Sequence, residues 1–258
     1  MKLAILSDIH ANDEALTAVL RDLHARGGAD RVYCLGDVVG YGPRPVQTLN
    51  RAKQFDLVLT GNHEAALVNG PKDFNPMAAR AIYWTYTTLF PDVQNLTGEQ
   101  QENWAFISTL QKVHKEGPLQ FIHGAPQDPV EEYILPMDID PMSRRYGAKL
   151  TEAFRLTDWL SFIGHSHYPG VFSDQGEYIA PTPMRDFTYP LQQGTKYIIN
   201  VGSVGQPRDG DNRACYAIYE DGRISWRRVA YDIQETYNHI YAIEMLDDIL
   251  GERLFRGE

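Results

Sequence analysis

The chain opens with Met1-Lys2-Leu3-Ala4-Ile5-Leu6-Ser7-Asp8-Ile9-His10. Residues 2–6 are a short, mostly apolar run that predicts a buried β-strand, and polar residues follow it at once. A helix is predicted next, because Asn12 and Asp13 offer N-cap chemistry before a run with apolar residues at helical spacing. Those apolar residues are Ala15, Leu16, Val19, Leu20 and Leu23. Strand, polar loop and helix in this order predict an α/β fold.

Polar residues also follow the later predicted strands. Residues 31–35 lead into Gly36-Asp37, and residues 56–59 lead into Gly61-Asn62-His63-Glu64. Residues 119–122 and 159–163 lead into His123-Gly124 and Gly164-His165-Ser166-His167. In open α/β sheets the carboxyl edge of the strands is where ligands bind, so this pattern predicts a site at that edge.

We expect one α/β domain that spans residues 1–258, with two insertions and a C-terminal helix added to it. A helical insertion is predicted at about 65–115, a loop insertion at about 126–150, and an amphipathic helix at about 232–250 with Tyr241 and Met245 on its apolar face. Residues 170–173, 197–201, 214–220 and 223–229 are strand-like, and Asp221-Gly222 predicts a hairpin turn. Aromatic residues between 83 and 106 predict either core packing or a wall for a nucleobase. The last helix predicts either packing on the body or a dimer contact.

Composition narrows the class of protein. Of the 258 residues, 43% are hydrophobic and 22% are charged, which is ordinary for a globular protein. No apolar run is long enough to cross a membrane and no secretory signal is recognisable, so we expect a cytoplasmic protein. The formal net charge of −10 disfavours nucleic acid as a partner. Cys34 and Cys215 lie in apolar runs and predict small buried residues, not a disulfide; the sequence predicts no oligomeric state.

The residues at the predicted strand ends share one chemistry. Five histidines, two aspartates and one asparagine lie there, namely His10, His63, His123, His165, His167, Asp8, Asp37 and Asn62. Taken singly, each has an ordinary explanation as a loop residue or a helix cap. Eight nitrogen and oxygen donors at one sheet edge, with glycine beside them at positions 36, 61, 124 and 164, together predict a metal site.

The spacing of these donors predicts two ions. Asp8 and His10 can present two ligands to one ion, and His165 and His167 can serve two neighbouring ions. Asp37 is the natural bridging carboxylate, because two cations about 3.5–4 Å apart need a shared anion. We therefore expect two divalent transition-metal ions, with manganese favoured over iron, zinc, cobalt or nickel.

The motifs Asp8-Ile9-His10, Gly36-Asp37, Gly61-Asn62-His63-Glu64, His123 and Gly164-His165-Ser166-His167, in that order, resemble the signature of the calcineurin-like metallophosphoesterases. Residues 200–208 resemble a loop of a bacterial and archaeal phosphodiesterase-like branch. The resemblance implies an α/β fold that is a four-layer αββα sandwich of two mixed β-sheets flanked by helices. It implies one metal held by Asp8, His10, Asp37 and His167, and another held by Asp37, Asn62, His123 and His165. His63 matches the family's catalytic histidine.

The implied activity is phosphate-ester hydrolysis by a hydroxide that bridges the two ions, with His63 protonating the leaving oxygen. The phosphoprotein phosphatases of this superfamily carry arginines, after Gly-Asp and before Gly-Asn-His-Glu, that clamp a phosphate dianion. This chain lacks both, so we expect a phosphodiesterase that acts on a small or nucleotide-like phosphate ester. The alternatives are a phosphomonoesterase, of protein phosphatase or dinucleoside polyphosphate hydrolase type, and a non-catalytic scaffold.

Substrate contacts are predicted from the later loops. Arg208, Arg185 or Arg213 could replace the missing arginine clamp. Ser203 is a further candidate, because Gly202-Ser203-Val204-Gly205 could expose backbone N–H groups to phosphate. The alternative for this loop is a tight turn that returns the chain past the metal site.

Overall fold

A computed structural model of the chain describes residues 1–140, 142–143, 145–181 and 187–258. Its strands are β1 Lys2–Leu6, β2 Arg31–Cys34, β3 Leu57–Val58, β4 Val113–Glu116, β5 Leu119–Ile122, β6 Ile139–Asp140, β7 Arg145–Tyr146, β8 Leu160–Ile163, β9 Gly170–Ser173, β10 Glu177–Ile179, β11 Phe187–Pro190, β12 Tyr197–Asn200, β13 Ala214–Glu220 and β14 Arg223–Val229. Its helices are α1 Asp13–Ala25, α2 Pro45–Ala52, α3 Asn62–Asn69, α4 Pro76–Leu89, α5 Gly98–Ser108, α6 Ala148–Leu156, α7 Ile233–Tyr241 and α8 Ile249–Glu252. None of the described helices is both long and apolar enough to cross a membrane.

The described strands form two mixed sheets of six strands each and a small two-stranded ribbon. The first sheet has the order β11-β14-β13-β1-β2-β3, the second has the order β10-β9-β12-β8-β5-β4, and β6 pairs with β7. Strands β1, β2 and β3 run parallel, as do β5, β8 and β12. The carboxyl ends of the parallel strands therefore meet at one edge of each sheet.

The two sheets pack face to face between helices. Successive side chains of β1 point to opposite faces, so Leu3 and Ile5 enter the core between the sheets while Ala4 and Leu6 face α1. On the outer face of the second sheet, Phe172 packs against apolar residues of α6. The fold is the four-layer αββα sandwich that the sequence predicts.

Two further sequence predictions concern strands of the first sheet. Cys34 of β2 and Cys215 of β13 are buried free thiols that pack in the core on either face of the first sheet. The hairpin between β13 and β14 turns at Asp221-Gly222, where both residues have positive φ, 50° and 70°. These values fit the tight turn predicted for that dipeptide.

The region predicted as a helical insertion contains α3, α4 and α5 and then changes to strand. Residues 113–116 form β4, which turns back at Gly117-Pro118 and pairs antiparallel with β5. Among the aromatic residues, Tyr86, Phe90 and Trp104 pack edge to face, with ring centroids 5.4–6.5 Å apart. Core packing is therefore confirmed for these three rings.

The prediction of a loop over about 126–150 is wrong in two places, because β6 and β7 pair within it and α6 begins at Ala148. This helix is nine residues long and buries Leu150, Ala153 and Phe154. Its N-cap is Gly147, which has no side chain to signal a helix start. Packing on the second sheet, which a local pattern cannot report, stabilises this helix.

The prediction of a continuous helix over about 232–250 is also wrong. Helix α7 ends at Tyr241 and α8 begins at Ile249, followed by a 3₁₀ turn at Arg253–Phe255. Tyr241 and Met245 are 63% and 41% exposed, so the predicted apolar face does not continue through them. The buried residues of the segment instead pack on Ala81 of α4, and they are Ile240, Leu246, Leu250 and Leu254. The segment therefore packs on the body of the fold.

Candidate metal centre

Hydrogen bonds connect the loops that follow the parallel strands of the two sheets. The amide of Asp8 donates to the carbonyl of Gly36 at 3.0 Å, and the amide of His10 donates to that of Asp37 at 2.9 Å. From the second sheet, the amide of His165 donates to Asp8 Oδ2 at 3.1 Å. The fold thereby buries all eight predicted residues in one place, each at most 8% exposed: Asp8, His10, Asp37, Asn62, His63, His123, His165 and His167.

Most of these residues have an unusual backbone. Positive φ values between 48° and 62° occur at Asp8, His10, Asp37, His165 and His167. Such values are uncommon outside glycine and persist only where the surrounding structure enforces them. The loops are therefore held in conformations that the chain would not adopt alone.

Glycine is required where the loops approach one another. A Cβ atom at Gly61 would lie 2.1 Å from Asp37 Oδ1. One at Gly164 would lie 2.0 Å from Ser7 Oγ and 2.6 Å from Asp8 Oδ2. These contacts confirm that the backbone must come close at the glycines of the motifs.

One pair of histidines directs two lone pairs at the same point. His10 Nε2 and His167 Nε2 are 3.2 Å apart. His10 Nδ1 faces the carbonyl oxygen of Val39 at 3.4 Å, and His167 Nδ1 faces that of Gln206 at 2.5 Å. Because a carbonyl oxygen can only accept a hydrogen bond, each Nδ1 carries the hydrogen. Burial lowers the pKa of both rings, which keeps them neutral. Two facing lone pairs beside Asp8 Oδ1, 3.1 Å from His167 Nε2, form a site for a cation.

A second pair of histidines lies on the other side of Asp37. His123 Nε2 and His165 Nδ1 are 3.1 Å apart, and His165 Nε2 donates to the carbonyl of Glu131 at 3.0 Å. Burial lowers the pKa of His165 to about 3. Burial also acts to lower the pKa of His123, but the carboxylate of Asp37 outweighs it and raises this pKa to about 9. A cation at this point would take the place of the His123 proton.

Asp37 connects the two histidine pairs through a single oxygen. Its Oδ2 atom is 3.7 Å from His10 Nε2 and 3.4 Å from His123 Nε2. Its Oδ1 atom accepts a hydrogen bond from the amide of His63 at 2.9 Å, which fixes the carboxylate. Three groups of potential ligand atoms lie here, and the atoms of each group are within 4.8 Å of one another. They are Asp8, His10 and His167; His10, Asp37 and His63; and Asp37, His123 and His165. Asp37 belongs to the last two groups.

Polar atoms in this centre lack partners. The buried Oδ1 atoms of Asp8 and Asn62 have no hydrogen-bond partner, and neither does Nδ1 of His63 or His123. Buried polar atoms are seldom left unpaired in folded proteins unless a ligand, ion or water completes them. The unpaired oxygens therefore fit the chemistry of a metal site.

The ring of His63 lies among aromatic residues at the edge of the centre. Its centroid is 4.4 Å from that of Tyr41, 4.7 Å from that of His10 and 5.3 Å from that of Phe74. Burial, with help from His123 and Arg208, lowers its pKa to about 4 against the opposing effect of Asp37. Its ring is also within 4.8 Å of ligand atoms of His10 and Asp37, so distance alone permits either a ligand or a catalytic role.

Glu64 holds two of the loops in place, a role that the sequence did not reveal. Its carboxylate accepts hydrogen bonds from the amides of Asp37, Val39 and Gly61, at 2.8, 3.1 and 2.9 Å. It lies three residues after Gly61, which is the position of the acidic residue in a capping box. That spacing is a local signal for the bond to Gly61, whereas the bonds to Asp37 and Val39 depend on the fold.

Two tyrosines line the centre without any signal in the sequence. Tyr133, from the region predicted as a loop insertion, stacks on His165 with ring centroids 3.7 Å apart and an interplanar angle of 17°. Tyr41 has a φ of 62° and contacts both His10 and His63. With Phe74, these rings line a cleft of about 280 Å³ that also reaches Asn62 and His165.

The predicted substrate residues have different outcomes. Ser203 is wholly buried, and its hydroxyl donates to the carbonyl of Asp8 and accepts from the amide of Gln206, both at 2.8 Å. The prediction that Ser203 contacts substrate is therefore wrong, because this hydroxyl holds the Asp8 loop. Arg208 is half-buried and donates to Gln206 Oε1 at 2.9 Å. Arg213 pairs with Asp211 at 2.6 Å, and Arg185 lies outside the described residues.

The glycine-rich loop that contains Ser203 is a tight turn. The amides of Val204 and Gly205 donate to the carbonyls of Ser7, at 3.0 Å, and Asp8, at 2.9 Å. The amide of Gly202 donates to Asn200 Oδ1 at 2.8 Å. These N–H groups are therefore bonded within the protein, and the turn alternative is the correct one.

The comparisons with known proteins agree with this geometry. Residues 1–221 match the model of the calcineurin-like phosphoesterase superfamily domain. An uncharacterized protein of Methanocaldococcus jannaschii is 36% identical over 265 residues, covering 99% of this chain and 98% of that one. The crystal structure of a metallophosphoesterase from Sphaerobacter thermophilus superposes with a TM-score of 0.80 at 33% identity, covering 100% and 99% of the two chains. A hypothetical protein from Pyrococcus horikoshii, 20% identical, has the same fold, with a TM-score of 0.74 and coverage of 100% and 98%.

The chain belongs to the calcineurin-like phosphoesterase superfamily.

Members of this superfamily are phosphoric ester hydrolases that use divalent metal ions. In this phosphoesterase, the clusters of Asp and His at the sheet edge could hold such ions. The family match therefore confirms the sequence-based assignment and agrees with the donor set described above.

Proposed function

We propose that this phosphoesterase is a dinuclear enzyme that hydrolyses a small or nucleotide-like phosphodiester. One ion would be held by Asp8, His10, Asp37 and His167. The other would be held by Asp37, Asn62, His123 and His165. Manganese is the ion that we favour, because imidazole, carboxylate and amide donors without cysteine suit it.

The observation that carries the proposal is the position of Asp37. One carboxylate oxygen faces a histidine of each pair, at 3.7 and 3.4 Å, while the other oxygen is fixed by a backbone amide. A carboxylate placed between two pairs of imidazoles is the arrangement needed to share one anion between two cations. A structural role alone would not require ring nitrogens of four histidines to face inward.

The protein's own groups then account for the chemistry. Divalent cations bound here would lower the pKa of a bound water and neutralise the oxygens of a phosphate ester. The backbone amide of His63 donates a hydrogen bond to Asp37, whereas Nδ1 of its ring has no hydrogen-bond partner. The ring is therefore free to act on the leaving oxygen. An anionic ester beside the ring favours the protonated imidazole, which is the form that donates a proton.

Two features favour a diester over a monoester. The stretch from Asp37 to Gly42 lacks an arginine, and the ring of Tyr41 packs against that of His63. A dianionic monoester therefore lacks the bidentate partner that an arginine after this motif provides. The cleft of Tyr41, Phe74 and Tyr133 offers apolar ring surface, which suits the organic substituents of a diester.

Hydrolysis of two para-nitrophenyl esters tests the proposal. We expect manganese-loaded protein to cleave bis-para-nitrophenyl phosphate faster than para-nitrophenyl phosphate, and a chelator to abolish both rates. An Asp37→Asn variant purified in parallel controls for contaminating phosphatases. Faster cleavage of the monoester would favour the phosphomonoesterase, and no cleavage of either ester would favour the scaffold.

A further inference from the structure

Two arginines beside the candidate metal centre have no acidic partner. Among the described residues, neither Arg208 nor Arg253 forms an ion pair with a carboxylate, and Nε and Nη2 of Arg253 are buried without a hydrogen-bond partner. The chain has 34 acidic residues against 24 Lys and Arg, so carboxylates are not scarce. Arg256, in the same segment as Arg253, pairs with Glu258 at 2.7 Å. Among the described arginines, Arg253 is set apart because two of its buried nitrogen atoms have no hydrogen-bond partner.

Arg253 lies one side chain away from the proposed catalytic histidine. Its Cζ atom is 4.8 Å from the ring centroid of Tyr41. The same ring is 4.4 Å from His63 and 4.8 Å from His10. Tyr41 adopts a φ of 62°, a conformation that costs energy in a residue other than glycine. The ring of Tyr41 thus contacts both the arginine and the two histidines.

Arg208 approaches the same place from the loop that supports His167. Gln206, two residues earlier, accepts the hydrogen bond of His167 through its carbonyl and that of Arg208 through its side chain. The charge of Arg208 lowers the pKa of Arg253. Arg208 also borders an open groove of about 740 Å³, whose lining includes Phe255, two residues after Arg253. A ligand can therefore reach Arg208 from solvent.

Two neighbouring cations without counter-ions are unfavourable unless an anion joins them. A buried charge without a partner is costly, and the like charge nearby adds repulsion. Burial, and then Arg208, lower the pKa of Arg253 to about 10, so it stays charged at neutral pH. The planar guanidinium is the side chain best suited to bind phosphate through two hydrogen bonds. A phosphate group is thus the ligand that this pair fits.

We propose that Arg208 and Arg253 form an anion subsite that binds a second phosphate group of the substrate, separate from the phosphate ester that is cleaved. This inference rests on the proposed phosphodiesterase activity and narrows its substrate class to diesters that carry an additional phosphate. Arg253 is then a substrate-binding residue supplied by the C-terminal segment.

A matched pair of esters tests the subsite. The para-nitrophenyl ester of thymidine 5′-phosphate and that of thymidine 3′,5′-bisphosphate share the scissile bond and leaving group and differ in one remote phosphate. We expect manganese-loaded protein to show a kcat/KM about 10- to 100-fold higher for the bisphosphate ester, the size expected for charge-assisted hydrogen bonds. Arg253→Gln should remove most of this preference and leave the rate on the first ester within about twofold. Arg208→Gln should also remove the preference, read from the ratio of the two rates, because Arg208 lowers the pKa of His63 and its loss acts on both esters.

Arg256→Gln is the matched control, because it removes a guanidinium three residues away whose partner is Glu258. Metal content and melting temperature, measured for every variant, show whether it is folded. Equal kcat/KM for the two esters in the unaltered protein would overturn the subsite. An equal loss on both esters in folded Arg253→Gln and Arg208→Gln would overturn it as well, since that pattern indicates a structural role.

A binding measurement keeps this test separate from the proposed function. If neither ester is cleaved, the proposed activity fails, and calorimetry on the loaded protein decides the subsite. We expect thymidine 3′,5′-bisphosphate to bind about 10- to 100-fold more tightly than thymidine 5′-phosphate, with the difference lost in Arg253→Gln. Equal affinities would overturn the subsite even for a protein without activity.

Discussion

Replacement of His63 by alanine separates catalysis from metal binding. The hydrogen bond that fixes Asp37 comes from the backbone amide of residue 63, and alanine retains it. The lost imidazole has an unpaired Nδ1 atom, so its removal breaks no hydrogen bond at that atom. We therefore expect near-normal metal content and a kcat lowered by about 10²–10⁴, the range for loss of a general acid or base. That loss corresponds to about 2.7–5.5 kcal/mol of transition-state stabilisation.

The assay compares leaving groups on metal-loaded protein. The loss in kcat should be smallest for para-nitrophenolate, which hardly needs a proton, and largest for alkoxide leaving groups. Asn62→Ala serves as the comparison variant, because Asn62 offers an unpaired buried oxygen and should lower metal content instead. Metal per chain, measured beside kcat for both variants, keeps the two effects apart.

Two results would contradict a catalytic role for His63. If His63→Ala loses metal in proportion to activity, His63 is a ligand, which its distance to the atoms of His10 and Asp37 also permits. If alkyl esters are cleaved at an undiminished rate, the ring is structural.

Other substitutions test the residues that are expected to bind the metal ions or to hold the site in place. Asp37→Asn should lower the affinity for both ions and be the most damaging ligand change, as titration of metal content against activity in each ligand variant will show. Gly164→Ala, whose Cβ would lie 2.0 Å from Ser7 Oγ, should destabilise the fold by about 1–3 kcal/mol in denaturant unfolding, while Gly98→Ala, with open space around it, should not. Tyr133→Ala removes the ring stacked on a predicted ligand; we expect weaker binding of one ion with little change in the other, measured by metal titration.

The sequence predicted the centre of the fold well because its signals are local. Site residues follow within a few positions of the ends of β1, β2 and β8, so strand ends and site residues could be read together at Asp8, Asp37 and His165. The glycines at 61 and 164 were predicted from the same motifs, and the structure shows the close contacts that require them. The order of strands and polar residues along the chain was enough to predict the site, because parallel strands bring their carboxyl ends to one edge of a sheet.

The parts that the sequence did not predict depend on contacts between distant residues. Helix α6 has a glycine N-cap and is held by the second sheet, and the break between α7 and α8 follows from packing on α4. Tyr133 and Arg253 lie far from the motifs in the chain and reach the site only through the fold. Ser203 was misassigned because its hydroxyl contacts Asp8, 195 residues away. No local pattern reports such contacts.

The number of metal ions bound per chain decides whether the centre is dinuclear. Crystals of the manganese-loaded protein, measured at an energy where manganese scatters anomalously, would show each ion and its ligands. We expect two peaks about 3.5–4 Å apart, with Asp37 between them and one histidine pair on each side. A single peak, or two peaks that do not share Asp37, in crystals of protein with full activity would contradict the dinuclear centre.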